Sequence, residues 1–240
     1  MLSGTAALDD LAAAAATMSS LHPEPVTFEG TEVFQATFEM SYSGRQATLP
    51  PGLHPTTPPL LVVLAWRVAD SPWGRFNMAQ VRVSCRSGVR PRGFVLGGVA
   101  DTDRAVAALS GEWGLPCRLG PVELRRGYDR VTLDAGPALT VTGFDPDPLG
   151  PADVQFTVTT TLAHTPRGLR LVQVEPQYDL TRAERVQPRL DRFEPAAWGT
   201  GVAVPRGAVT AAVGVGSVSL PRLRFVSRPD VMAFEGTEAV

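Results

Sequence analysis

From residue 26 to residue 228, apolar and polar positions alternate with period two in one segment after another, the signature of strands rather than helices. The stretch "VTFEGTEVFQATFEMSY" (26–42) reads as a hairpin turning at Glu29-Gly30. A proline-stiffened loop, "LPPGLHPTTPP" (49–59), leads into "LLVVLAWRV" (60–68), a continuous apolar run suited to a buried strand. "RFNMAQVRVSCR" (75–86) and "RGFVLGGVA" (92–100) predict two more strands. The period changes in "DTDRAVAALSGEWG" (101–114), which predicts a helix. Asp101 or Asp103 caps it, Val106 and Leu109 face inward, and Gly111 or Gly114 ends it. Residues 5–20, Ala-rich with Leu8 and Leu11, predict a short helix before the "HPEP" break at 22–25.

Beyond residue 122 only strand patterns remain: "RVTLD", "ALTVTGF", "VQFTVTTTLAH", "LRLVQVEPQY", "AVTAAVGVGSVSL" and "RLRFVS". "DPDPLGP" (145–151) predicts a sharp turn, and Gly214 and Gly216 predict a bulge or tight curvature. No internal repeat is present. The fold class expected is mainly β (α+β): an antiparallel, barrel-like or curved sheet with one or two packed helices. Residues 1–24 form an N-terminal helical or flexible extension, 25–230 a single domain and 231–240 a C-terminal tail.

A chain of 240 residues suits this organisation. Its formal net charge of −2 removes any global attraction to nucleic acid or an anionic membrane. No apolar run is long enough to span a bilayer. Asp9 and Asp10 stand where a signal peptide would be basic, so a cytoplasmic location is expected. Two cysteines and three scattered histidines fit neither a disulfide scaffold nor a metal site, and no cofactor is expected. All 22 basic residues are arginine. Without a lysine side chain, none of these residues can supply one as a Schiff-base amine or general base.

That absence gives weight to "GEWGLPCRLGP" (111–121), where Cys117 and Arg118 stand between Pro116 and Leu119-Gly120. This block follows "FVLGGVADTDRAVAALS", and the order of elements resembles the acetoacetate decarboxylase superfamily over residues 26–228. Further points of resemblance are "VTFEGTEVFQATFE", "LPPGL" (49–53), Gln80 ahead of a small apolar run, and "SLPRLRFVS" near the C-terminus. The family has Pro-Lys-Lys-Leu-Gly where this chain has Pro-Cys-Arg-Leu-Gly. The first lysine forms the Schiff base, and the second lowers its pKa. The resemblance therefore implies that the nucleophile is lost and that only Arg118 keeps the positive charge. Family acidic positions fall near Leu64 or Ala65 and on Asn77, and the family's early-strand arginine falls on Glu39. Imine-dependent decarboxylation is excluded for this chain.

Each candidate has a functional and a plain reading. Cys117 is a nucleophile activated by Arg118, or a small residue filling the lysine's space. Arg118 anchors an anion, or pairs with Glu112 or Glu123. Asn77 orients a carbonyl, or satisfies backbone. Trp66, Phe76, Phe94, Trp113 and Leu64 line an apolar cavity, or belong to the core; Trp73 shares their segment. Glu39 is a candidate for substrate contact, although nothing places it with Glu175 as an acid–base pair. His54 is expected to be exposed.

The resulting expectation is a small-molecule tailoring enzyme of natural-product biosynthesis. It would bind an apolar, carbonyl-containing, polyketide-like substrate without covalent chemistry. The step would be a cyclisation, even a pericyclic one, or a lyase or dehydratase step driven by orientation. The resemblance also implies a homo-oligomer. Two alternatives stand beside it: a non-catalytic small-molecule binding protein, and a remnant whose cavity has closed.

Overall fold

The computed structural model describes residues 2–240, with four α-helices and sixteen strands among them. In chain order the first half comprises α1 (Leu8–Ala13), β1 (Ala16–Thr17), β2 (Val26–Glu39), α2 (Tyr42–Thr48), β3 (His54–Pro55), β4 (Leu60–Val68), β5 (Phe76–Ser87) and β6 (Arg90–Ala100). There follow α3 (Asp103–Gly111), β7 (Cys117–Leu119), β8 (Glu123–Arg126), β9 (Arg130–Asp134), β10 (Leu139–Leu149) and β11 (Thr159–Thr165). The chain ends with β12 (Gly168–Val174), β13 (Gln177–Phe193), β14 (Ala208–Leu220), β15 (Phe225–Ser227), α4 (Ala233–Gly236) and β16 (Thr237–Ala239).

The strands form one sheet in the order β16-β15-β12-β11-β6-β5-β4-β2-β14-β13-β10-β9-β8. Pairing is mainly antiparallel, with parallel contacts where β6 meets β7 and β11, and where β1 meets β11. The sheet does not close: β8 and β16 are its two ends. Both are short, which limits the unpaired backbone they present.

Because successive strand residues point to opposite faces, the long sheet makes two cores. Phe34, Ala36, Phe38, Leu61, Val63, Ala65, Val81 and Val83 belong to one. Val33, Leu64, Trp66, Met78 and Ala100 belong to the other. The central strands are thus buried on both faces, which explains the unbroken apolar run predicted at 60–68 and realised as β4.

Several expected boundaries shift for identifiable reasons. Residues 26–42 make no hairpin; β2 runs straight through, with Gly30 at φ 56 and Glu29 bridged to Asp70. The turn expected at 145–151 is a bulge instead: Asp145 takes φ 51 and β10 continues to Leu149 with its register slipped between Phe144 and Asp147. The N-terminal helix is limited to α1, because Ala16 pairs with Ala163. The internal helix is capped by the Thr102 hydroxyl rather than by Asp101 or Asp103. "LRLVQVEPQY" is two strands broken at Glu175-Pro176, and α2 and most of β13 had no counterpart in the sequence pattern. His54 is half-buried, with Nδ1 3.0 Å from the Leu2 carbonyl oxygen.

The bulge expected near Gly214 and Gly216 is present as a register shift between Gly216 and Val218. A Cβ on Gly216 would lie 2.0 Å from the Asp179 carbonyl oxygen, inside van der Waals contact. Gly216→Ala is expected to lower unfolding stability by about 1–3 kcal/mol, the usual cost of overpacking, as read from the urea midpoint.

Candidate functional site

Five successive strands build one row across the sheet. Gln35 is in register with Leu64, Leu64 with Gln80, Gln80 with Gly98, and Gly98 with Cys117. Residues in register share a face, so this row leads from β2 to β7 along the second core. Cys117 packs against that core. Gly98 matters because of what it omits: a Cβ there would lie 2.9 Å from the Pro116 carbonyl oxygen and 3.3 Å from Cγ of Gln80.

Arg118 follows Cys117 in the strand and projects from the opposite face, in register with Val99. It is exposed, and it makes no ion pair with Glu112, Glu123 or any other carboxylate among the described residues. Both residues border a crevice of about 320 Å³, whose other walls are Ala14–Ala16, Leu96–Gly98, Ser110, Pro116 and Ala197–Gly199. The Ser110 hydroxyl donates to the carbonyls of Leu115 and Cys117 at 3.1 and 3.3 Å, fixing the approach of β7.

Burial pushes the Cys117 thiol up to about 12, with the Arg118 charge opposing it only partly. It is therefore a thiol rather than a thiolate at neutral pH. Asn77 lies elsewhere: it borders a separate cavity of about 430 Å³ with Arg67 and Arg75, and Asp101 holds it from two sides. The Asp101 carboxylate accepts from the Asn77 backbone N–H at 2.8 Å and from its side-chain amide at 2.7 Å. Leu64, Trp66, Phe76, Phe94 and Trp113 are all buried. Phe76 sits in an aromatic group with Phe28 and Trp73, and Phe94 faces the first core. Glu39 is exposed at the end of β2. The structure thus brings Cys117 and Arg118 to one crevice and leaves Asn77 and Glu39 apart from it.

Sequence reasoning named Gln80 only as a point of resemblance and missed the polar group it forms with Arg82 inside the second core. Gln80 and Arg82 are fully buried on the same face of β5. Arg82 donates Nη2–H and Nε–H to Gln80 Oε1 at 2.7 and 3.2 Å, and Nη1–H to the Thr157 carbonyl at 2.7 Å. Burial draws its guanidinium down to about 10, so it stays charged at neutral pH. Above it Tyr178, half-buried, turns its hydroxyl inward beside Arg82 and Trp66, and burial pushes that phenol up to about 12. The one signal was the pair Gln80-x-Arg82 on a single face of a strand flanked by apolar strands.

The molecule is thus an open, two-cored sheet with a small crevice at Cys117 and a polar group buried in its second core. The sequence profile of acetoacetate decarboxylase matches residues 11–198, and the chain belongs to that family. No curated protein matches it. A solved acetoacetate decarboxylase superposes with a TM-score of 0.73 at 18% identity, covering 85% of this chain and 90% of that one. The acetoacetate decarboxylase of Legionella pneumophila gives 0.70 at 19% identity, covering 85% and 88%. The enduracididine biosynthesis enzyme MppR, in complex with pyruvate, gives 0.66 at 17% identity, covering 84% and 90%. No helix is long and apolar enough to cross a membrane among the described residues.

Alkylation tests the state of the thiol. At pH 7.5 Cys117 should react roughly a thousandfold more slowly with iodoacetamide than a free cysteine of ordinary pKa near 8.5, and its rate should go on rising about tenfold per pH unit past pH 9, where a free cysteine levels off. Peptide mass spectrometry after timed labelling reads both.

Proposed function

We propose that this chain is a small-molecule enzyme of its family that acts on a carbonyl-containing substrate without forming an imine. The step is a cyclisation or a lyase-type elimination of the kind met in natural-product tailoring, on an apolar, polyketide-like substrate. One observation carries the reading. Cys117 stands where the resemblance puts the family's Schiff-base lysine, and it shares the row of Gln80 and Gly98 in a chain that contains no lysine.

What is left can still do chemistry. Orientation of a flexible substrate supplies several kcal/mol without covalent help. Buried donors aimed at a carbonyl stabilise the oxyanion or enolate that forms on it. Gln80 has such a donor, because its Nε2 is buried without a partner. Cys117 shapes the pocket as a neutral, soft side chain. Arg118, free of carboxylates at the crevice, draws in an anionic or carbonyl-rich substrate from solvent. A structural relative, MppR, has been solved with the condensation product of pyruvate and imidazole 4-carboxaldehyde, which supports carbonyl chemistry on this scaffold.

The second reading, a binding protein without turnover, draws on the complete burial of Leu64, Trp66 and Trp113.

Incubating the protein with a panel of α- and β-keto compounds in D₂O separates the two. Loss of α-proton NMR signals or formation of a new product faster than in buffer is expected. Borohydride added during turnover should leave the protein mass unchanged. Arg118→Met should lower kcat/KM by roughly tenfold through slower capture. A panel in which nothing exchanges or converts would leave the binding reading, and a borohydride-trapped adduct would overturn the non-covalent one.

A further inference from the structure

A second cavity, of about 590 Å³, shares no lining residue with the crevice at Cys117. Its volume is that of an ordinary ligand pocket, which runs from roughly 300 to 1,000 Å³. Segments far apart in sequence converge on it: the N-terminal residues, β3 with the loop after it, the β5–β6 hairpin, and α4. Its border is apolar and bare. Val89 is 90% exposed, Phe234 75% and Leu2 63%. One exposed apolar side chain is ordinary on any surface, but three around a single cavity mark a place that receives an apolar body.

The polar side of the cavity is a cross-strand pair. β4 begins its pairing with β5 only at Leu61–Val83, and β3 takes the edge left beyond it, setting His54 opposite Arg86. Residues opposite each other on paired strands share a face, with Cβ atoms about 5 Å apart. The Ser84 hydroxyl fastens the loop after β3, accepting from the Thr56 hydroxyl at 2.8 Å and from the Leu60 backbone N–H at 3.0 Å. The His54 ring is oriented as well. Its Nδ1 lies 3.0 Å from the Leu2 carbonyl oxygen, which can only accept, so Nδ1 carries the hydrogen and donates it. Nε2 is left as an acceptor, with no hydrogen bond among the described residues. Leu2 is itself kept in place two residues along, where the Gly4 backbone N–H donates to the Leu53 carbonyl at 3.0 Å.

Arg86 is exposed and has no carboxylate partner among the described residues, and no acidic side chain lines the cavity. The other side of the same hairpin shows the contrast. There Glu175 meets Arg92 at 2.6 Å and Arg90 at 3.5 Å, so the neighbouring cavity of about 440 Å³ already has its counter-ion. The cavity at His54 offers a free cation, an imidazole acceptor and an apolar border. An anionic head with an apolar body answers the first and third of these. The head has also to face the Nε2 lone pair, which disfavours an oxyanion that brings no hydrogen. Carboxylates and sulfate esters are fully ionised near neutrality and bring none. A phosphate monoester, whose second pKa lies at about 6, shares a proton with the ring while its other oxygens take Arg86.

We propose that this cavity binds a soluble phosphate monoester bearing a small apolar or aromatic group. The phosphate lies on Arg86 and His54 Nε2, and the apolar part lies against Phe234, Val89 and Leu2. The site is separate from the chemistry proposed at Cys117 and does not depend on it. A bilayer surface does not fit the same features. One uncompensated arginine beside a histidine, in a chain of net charge −2, lacks the basic cluster that holds a protein to anionic lipid.

Calorimetric titration with phenyl phosphate, phenyl sulfate and inorganic phosphate tests it. Phenyl phosphate should bind the wild-type protein with a Kd of about 0.1–1 mM, within reach of a ligand of its size. Inorganic phosphate, which lacks the apolar part, should bind roughly tenfold more weakly. Phenyl sulfate, with no proton to share, should also bind roughly tenfold more weakly. Arg86→Met and Phe234→Ser both fall at exposed positions, and each should weaken phenyl phosphate roughly tenfold while the Tm stays that of the wild type. His54→Phe should remove the preference for phosphate over sulfate ester. Absence of binding in the wild type, equal affinity for the two esters, or an unaltered affinity in Arg86→Met would overturn the proposal. Tighter binding to phosphatidic acid vesicles than to phenyl phosphate would overturn it too, in favour of a lipid surface. The alkylation rate of Cys117 in the same variants should equal that of the wild type, which keeps this result independent of the reading at the crevice.

Discussion

Burial of both faces of β4, β5 and β6 is the constraint on which the rest of the molecule depends. A strand with one wet face can place a polar residue anywhere on it, whereas a strand packed on both sides has no neutral position for one. Every polar side chain in these strands therefore has to be bonded, or mark a place where something else belongs. Gly97 and Gly98 follow from the same crowding: one faces Trp198 at ordinary contact distance, and the other clears the space between Gln80 and Pro116.

The constraint also sorts the charges. On the first face, Glu32, Arg67, Arg126 and Glu184 form a linked set whose members alternate in sign and reach the surface through the arginines. Such a set is electrically closed, and breaking it from within would cost about 3–5 kcal/mol, as for other buried pairs. On the second face the cation of Arg82 meets only amide dipoles. The two faces thus solve the same problem differently, one with protein carboxylates and the other without.

How much of this was legible depended on the reach of the pattern. The strand at 60–68 could be placed to the residue, because an apolar run bounded by prolines has one reading. The 17-residue β13 could not, since its charges at Asp179, Arg182, Glu184, Arg185 and Arg189 swamp the alternation that its pairing with β10 and β14 imposes. The expected hairpin at Glu29-Gly30 and turn at Asp145 rested on turn-forming residues, which in a long curved sheet serve equally as kinks. Site residues divided in the same manner. Cys117 and Arg118 were found because they adjoin each other in sequence, yet adjacency in a strand is what separates them onto two faces. Gln80 and Arg82 join Cys117 only through inter-strand register, which no local pattern carries.

That register bears on how the scaffold changes its chemistry. The resemblance places an amine at the end of a row of in-register side chains, where a neighbouring cation would tune it. In this chain the row ends in a neutral thiol, and the positive charge on that face sits two strands away, two residues along from Gln80. A guanidinium there cannot attack a carbonyl, and its charge is held at neutral pH even after burial draws it down to about 10. On the proposed reading, what the change removes is covalency; what it keeps is a positive charge in a dry core, where electrostatic effects on a developing oxyanion are strongest. A site of that kind favours reactions whose transition states gather negative charge on a bound carbonyl and need no nitrogen partner. Enolate-assisted elimination and ring closure both have that character, which is why loss of the lysine narrows the proposed chemistry instead of ending it.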